Sequence, residues 1–163
     1  MNEIQIFDNI FTEEIRAEVF TRLLKPHWGI SGGSPEKPEI FWHAEGFEND
    51  EYFNSFLYEK ITEKVDRTFS KIGRIYANGQ TSGQCGTPHF DDGDMTFLYY
   101  PCPHWDTRME GHLLFFESDE LSKVVEYKPN RAVLFPGKIK HYANAPSKFF
   151  NGLRVSLAYK LWN

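Results

Sequence analysis

The chain is short of cysteine, has no surplus of positive charge and contains no long apolar run, and each shortage excludes something. Its two cysteines, Cys85 and Cys102, lack metal-type spacing, so neither a thiolate metal site nor a disulfide framework is expected. Met1-Asn2-Glu3-Ile4 does not begin a leader-like pattern, which points to a cytoplasmic setting and reduced thiols. Acidic residues (23) outnumber basic ones (18), for a net charge of −5. That balance speaks against a nucleic-acid partner, because a phosphate backbone selects a basic surface. It does not speak against a small anionic ligand, which one buried Arg can hold. No apolar stretch approaches the roughly 18 residues of a membrane span, so no membrane partner is expected. Internal repeats and low-complexity tracts are also missing.

What the chain does have is aromatic bulk. Aromatic residues make up 17% of it and Phe alone contributes 15, which favours packing on sheets. Its 163 residues fit one domain, 1–163, around one core. Residues 2–7 alternate apolar and polar, as a short strand does. Thr12 has the character of an N-cap, with Glu13 and Glu14 in the first turn. Phe11, Ile15, Val19 and Leu23 recur every four residues and predict a helix to about Leu24, ended by Pro26. Residues 26–49 read as a loop with a possible short strand near Ile40-Phe41-Trp42-His43. Such a loop either folds over a site, carrying Trp28 or Trp42, or is a surface connection with aromatic anchors.

A second helix is predicted over 50–72, with Phe53, Phe56, Leu57, Ile61, Val65, Phe69 and Ile72 on its apolar stripe. From Arg74 on the pattern turns to strands, expected at 73–78, 84–91, 94–101, 111–117, 123–127, 131–136, 139–144 and 152–162. Breaks fall at Gly79, Asp92-Gly93, Pro101-Cys102-Pro103, Ser118-Asp119, Pro129-Asn130 and Pro136-Gly137. Two helices followed by about eight short strands make an α+β chain with a sandwich or jelly-roll barrel. The helical support spans about 12–72 and the barrel about 73–162.

The chemistry centres on Pro88-His89-Phe90-Asp91. On an extended strand His89 and Asp91 point to the same side. With a second histidine from a distant strand they form a facial two-histidine, one-carboxylate set, which suits non-haem Fe(II) and leaves positions open. His141 is the candidate third ligand, since the Pro136-Gly137 turn brings a new strand back across the barrel. Arg154 lies among apolar strand residues, where an unpaired charge is prohibitive, so it needs a partner. A ligand carboxylate or a structural Asp or Glu would each serve. Asp92 and Asp94 read more simply as a solvated turn than as contacts for a basic substrate.

His89, Asp91, His141 and Arg154, in that order, resemble the Fe(II)- and 2-oxoglutarate-dependent oxygenases, within them the prolyl 4-hydroxylase group. The likeness runs through Tyr76-Ala77-Asn78-Gly79-Gln80, Thr96-Phe97-Leu98-Tyr99-Tyr100, Trp105-Asp106, Glu110-Gly111-His112-Leu113-Leu114-Phe115-Phe116 and Val133-Leu134-Phe135. It implies a double-stranded β-helix, a jelly-roll or cupin-like barrel braced by the two N-terminal helices. It implies iron held by His89, Asp91 and His141, and 2-oxoglutarate with its far carboxylate on Arg154 and Tyr100. Tyr76 would lie near the co-substrate or substrate.

The implied reaction consumes O2, is supported by ascorbate, and releases succinate and CO2 while hydroxylating a prolyl residue or related amino-acid target. The His141-to-Arg154 spacing is longer than the family's, and Lys148 between them is a rival anchor. AlkB-type nucleic-acid dealkylases carry a second Arg six residues after the first, where this chain has Lys160. A non-catalytic, metal-binding cupin-like barrel is the remaining alternative.

Overall fold

The structure is a computed structural model and describes residues 3–31 and 40–163, for Ser31 its backbone only. After the short strand β1 (Gln5–Phe7) comes helix α1 (Glu13–Leu23). Thr12 caps it as its side chain suggests, Oγ1 accepting from the Ile15 N–H. Val19 and Leu23 are buried from the α1 repeat, together with Arg16, which pairs with Glu13 and donates to the Pro101 carbonyl.

Residues 26–49 are more ordered than the loop expected of them. Strands β2 (Gly29–Ser31) and β3 (Phe41–Ala44) pair antiparallel, and the middle of the stretch, 32–39, lies outside the described residues. Trp28 is an anchor rather than part of a lid, its indole N–H donating to the Leu23 carbonyl.

The second helix is shorter and less regular than the 50–72 predicted. It opens with a π-helical segment at Tyr52–Leu57 and continues as α2 (Tyr58–Val65). Phe53, Leu57, Ile61 and Val65 are its buried stripe, while Phe56, expected on it, is exposed and lies against the Tyr52 ring. Asp66, at φ +49°, then turns the chain. The apolar period survives in the sequence through Phe69 and Ile72, but Ile72 already belongs to strand β4 (Lys71–Gln80). That strand also runs straight through Gly79, where a break was expected, because Gly79 pairs with both Val155 and Trp42.

The remaining strands are β5 (Met95–Tyr100), β6 (Leu113–Glu117), β7 (Glu120–Val125), β8 (Arg131–Pro136), β9 (His141–Ala143) and β10 (Arg154–Trp162). The β6–β7 hairpin turns through Ser118 and Asp119, both at positive φ, which starts β7 earlier than the pattern of 123–127 implies. Residues 84–91 make no strand. Pro88 cannot donate to a ladder, and only His89 forms a bridge, exchanging both backbone hydrogen bonds with His141.

All pairings between these strands are antiparallel. A seven-stranded sheet has the order β1-β8-β5-β10-β4-β3-β2, and a three-stranded sheet the order β7-β6-β9. Between them Phe115 meets Phe135 edge-on at 5.0 Å. The two helical segments back the other face of the larger sheet, where Phe11 packs on Tyr99 and the Tyr159 hydroxyl donates to the Phe53 carbonyl. This is a double-stranded β-helix whose sheets do not close into a continuous barrel.

Asn130 joins the N-terminal arm to this frame. It sits at φ +57°, accepts from the Phe11 N–H and the Tyr99 hydroxyl, and donates to the Phe11 carbonyl. Asn tolerates this left-handed conformation better than most residues do. Asn130→Ala strands buried groups at about 1–3 kcal/mol each. It should therefore lower Tm by about 6–12 °C for a net loss of about 3 kcal/mol, read by thermal melting. Asn130→Gly should restore only the small backbone share.

Candidate active site

β10 alternates. Arg154, Ser156, Ala158 and Lys160 line a cavity of about 330 Å³ between the sheets, while Tyr159 faces the helices. The volume lies within the range of small-molecule sites. His89, Asp91 and His141 also line this cavity, so the two remote segments meet as their spacing suggests. Their potential ligand atoms all lie within 4.8 Å of one another. His89 Nε2 is 3.4 Å from Asp91 Oδ1, and His141 Nε2 is 3.3 Å from Asp91 Oδ2. Donors bonded to one ion at about 2.1 Å and at right angles lie about 3 Å apart, so both imidazole-to-carboxylate distances are close to what one ion needs.

The mutual His89–His141 bridge, rather than a long strand, brings the two rings together, with centroids 4.7 Å apart. Each ring is then oriented by the same device. Nδ1 of His89 is 2.7 Å from the Thr87 carbonyl, and Nδ1 of His141 is 2.8 Å from the Ile139 carbonyl. A carbonyl can only accept, so Nδ1 is the donor on each ring and Nε2 is the nitrogen that faces the cavity.

Burial works to raise the Asp91 carboxyl, but hydrogen bonds from His141 and His89 and the charge of Lys160 outweigh it. The group is held well below the usual carboxylate range. Burial also opposes a charged His89, and there the Asp91 carboxylate and the Thr87 carbonyl prevail and raise it. A donor set of two imidazole nitrogens and one carboxylate is the chemistry that divalent iron takes.

Arg154 is 1% exposed and has no carboxylate partner among the described residues. Nε donates to the Gly111 carbonyl at 2.8 Å and Nη1 to Gln80 Oε1 at 2.9 Å. Nη2 is buried with no partner, and the same holds for the Tyr100 hydroxyl, whose ring lies 5.5 Å from the guanidinium. Among the described residues four buried side-chain polar atoms are orphaned in this way, and these two are neighbours. Burial pushes the Tyr100 phenol up to about 12, against the pull of Arg154 and Arg131, so it keeps its proton as a donor. Arg154 lines the cavity, whereas Tyr100 is absent from the lining and sits beside it; an orphaned charged donor at the wall fits a carboxylate that the cavity would receive.

Tyr76 lines the cavity, close to His43. Lys148 is exposed and lies over Phe149, away from the cavity. Trp42 is likewise absent from the lining, where its neighbours Phe41 and His43 appear. Asp92 pairs with Arg74 at 2.6 Å at the cavity wall, and Asp94 accepts from the Asn163 N–H.

Two contributors were not singled out by their motifs. Gln80 ties Arg154 to the Gln84 and Ala143 carbonyls. Lys160 is in contact with Asp91 and donates to Thr96. Its signal was a polar residue six positions beyond Arg154 on the same face of an apolar strand.

No family model and no curated protein matches the sequence. Solved structures do match in fold. A prolyl hydroxylase from Trichoplax adhaerens, in complex with a hypoxia inducible factor peptide fragment, superposes with a TM-score of 0.75 at 17% identity, covering 98% of this chain and 83% of that one. A prolyl-4-hydroxylase from Pseudomonas putida gives 0.67 at 12% identity, over 99% and 93%. HygX from Streptomyces hygroscopicus, with nickel and 2-oxoglutarate bound, gives 0.68 at 10% identity, over 98% and 83%. The chain has the fold of the prolyl hydroxylases and other 2-oxoglutarate oxygenases. No helix among the described residues is long and apolar enough to cross a membrane.

Proposed function

We propose that this chain is an Fe(II)- and 2-oxoglutarate-dependent dioxygenase that hydroxylates a prolyl residue in a peptide or protein, or a related amino-acid target. One observation carries the reading. A single cavity joins a facial His-Asp-His set to a buried guanidinium whose Nη2 has no partner. A keto dicarboxylate satisfies both ends, with its keto acid at the metal and its far carboxylate at Arg154 and Tyr100.

His89, Asp91 and His141 would hold the iron on one face. Iron bound there would activate O2 as the oxidant, so that one of its oxygen atoms ends in succinate as 2-oxoglutarate loses CO2 and the other in a hydroxylated C–H bond. The chain's own residues bind, orient and shield. The Thr87 and Ile139 carbonyls fix the imidazoles, and Arg154 with Gln80 fixes the anion. Leu98, Leu113 and Phe135 keep the wall between them apolar. Phe41, Tyr76 and exposed Phe90 give the cavity an aromatic rim against which a proline ring packs. The free thiols Cys85 and Cys102 are in keeping with a cytoplasmic setting.

The test is direct. Purified protein with Fe(II), ascorbate and 2-oxoglutarate should form succinate slowly even without prime substrate. It should yield a product heavier by one oxygen from proline-containing peptides, read by mass spectrometry. Iron-loaded protein that forms no succinate with any peptide or amino acid overturns the reading.

A further inference from the structure

Lys160 is an unusual neighbour for a metal-binding carboxylate. It is 1% exposed, and its Nζ contacts Asp91 Oδ2 and donates to Thr96 Oγ1 at 3.1 Å. Thr96 Oγ1 in turn donates to the same Asp91 Oδ2 at 2.6 Å. Oδ2 is therefore held by Lys160 and Thr96 and lies nearest His141 Nε2, while Oδ1, without those two partners, is the oxygen nearest His89 Nε2. Other charges near the cavity are Arg74 and Asp92, which already pair with each other, and Arg154, held by Gly111 and Gln80.

We propose that Lys160 is a positioning residue that ties Asp91 through Oδ2, so that the carboxylate offers a metal only Oδ1. The inference rests on the function proposed above and extends it to the second layer of the site. Two consequences follow from the geometry. A carboxylate tied at one oxygen takes a single coordination position, which preserves the three open ones that a chelating keto acid and O2 require. A fixed cation beside the metal also acts in opposite senses on the two ligands. It competes with the metal for Asp91 and weakens metal binding, and it adds to the attraction for an anionic co-substrate. It also gives Asp91 a counterion in the metal-free protein, which keeps a buried carboxylate in place before metal arrives.

The experiment measures two affinities on Lys160→Met, and on Lys160→Gln in case the first does not fold. Mn(II) binding to metal-free protein is titrated by calorimetry, followed by 2-oxoglutarate binding to the Mn(II)-loaded form. Outer-shell groups typically move such affinities by about 10–100-fold. Loss of the ammonium should tighten Mn(II) about tenfold and weaken 2-oxoglutarate about tenfold. The Tm rise on adding Mn(II) should also grow, because the metal-free variant carries an unpaired Asp91. A residue that merely fills space would weaken both ligands together or neither, and either result overturns the proposal. Wild-type protein that binds neither ligand overturns the functional reading along with it. Wild-type binding of both, without opposed shifts in the variants, overturns this inference alone.

Discussion

Asp91→Asn should abolish turnover in a folded protein, and Asp91→Ala should abolish it in a less stable one. The carboxylate has two tasks that these variants separate. As the one anion of the donor set it neutralises part of the metal's charge, and an amide or a methyl group cannot do so. Losing even about 4 kcal/mol of metal-dependent stabilisation corresponds to about a thousandfold in rate, so succinate formation should fall to background with either variant. The second task is to be the counterion of Lys160.

Breaking a buried ion pair by removing one partner typically costs about 3–5 kcal/mol, because the other charge is left stranded. Asp91→Asn keeps an acceptor for Thr96 and Lys160 and should lose only part of that. Asp91→Ala leaves Lys160 with Thr96 alone and should lose more. Succinate assays together with melting curves on metal-free protein read the two tasks apart. Wild-type-like turnover in Asp91→Asn would remove the residue from the metal site. Melting temperatures equal to wild type in both variants would mean that the ion pair contributes nothing.

The three candidate ligands were legible in the chain because each lies in a local pattern with a physical meaning. His89 and Asp91 are two apart, and His141 follows a strand and a Pro-Gly turn. Their meeting depends on less regularity than an extended strand implies. Residues 84–91 are held by a few bonds, to Ala143, His141 and Gly137, that no period reveals. The framework from Met95 to Trp162 was legible within a residue or two for most strands, since alternation and turn residues agree there.

The helix over 50–72 shows the limit of periodicity. Phe69 and Ile72 keep the spacing after Asp66 has reversed the backbone, because the strand that follows packs against the same core. Gln80 and Lys160 were hidden for another reason. A polar residue in a strand reads as solvent-facing until the partner of its other face is known. Each acts here through a contact far away in sequence, Gln80 with Arg154 and Lys160 with Asp91.

The second large effect is expected at Arg154. Its guanidinium is buried against Gly111, Gln80, Tyr100 and Tyr127, with no acid among the described residues to balance it. Such an arrangement is unfavourable alone and becomes favourable when an anion arrives, which is the behaviour of a binding site rather than of a structural brace. Truncating one partner of a buried, hydrogen-bonded charge pair typically costs about 2–5 kcal/mol of binding. Arg154→Met, similar in length and uncharged, should therefore raise the 2-oxoglutarate concentration for half-maximal turnover by about a hundredfold, taking about 3 kcal/mol.

Turnover at saturating 2-oxoglutarate should change far less, since Arg154 holds the end remote from the chemistry. The Tm rise on adding 2-oxoglutarate should also shrink in step with the lost affinity. Tyr100→Phe removes one neutral donor and should have a smaller effect, about tenfold. Lys148→Ala, at an exposed position away from the cavity, should leave the requirement unchanged. The reverse pattern, with Lys148 sensitive and Arg154 silent, would mean that the co-substrate enters this cavity in another orientation and that the orphaned Nη2 answers to something else.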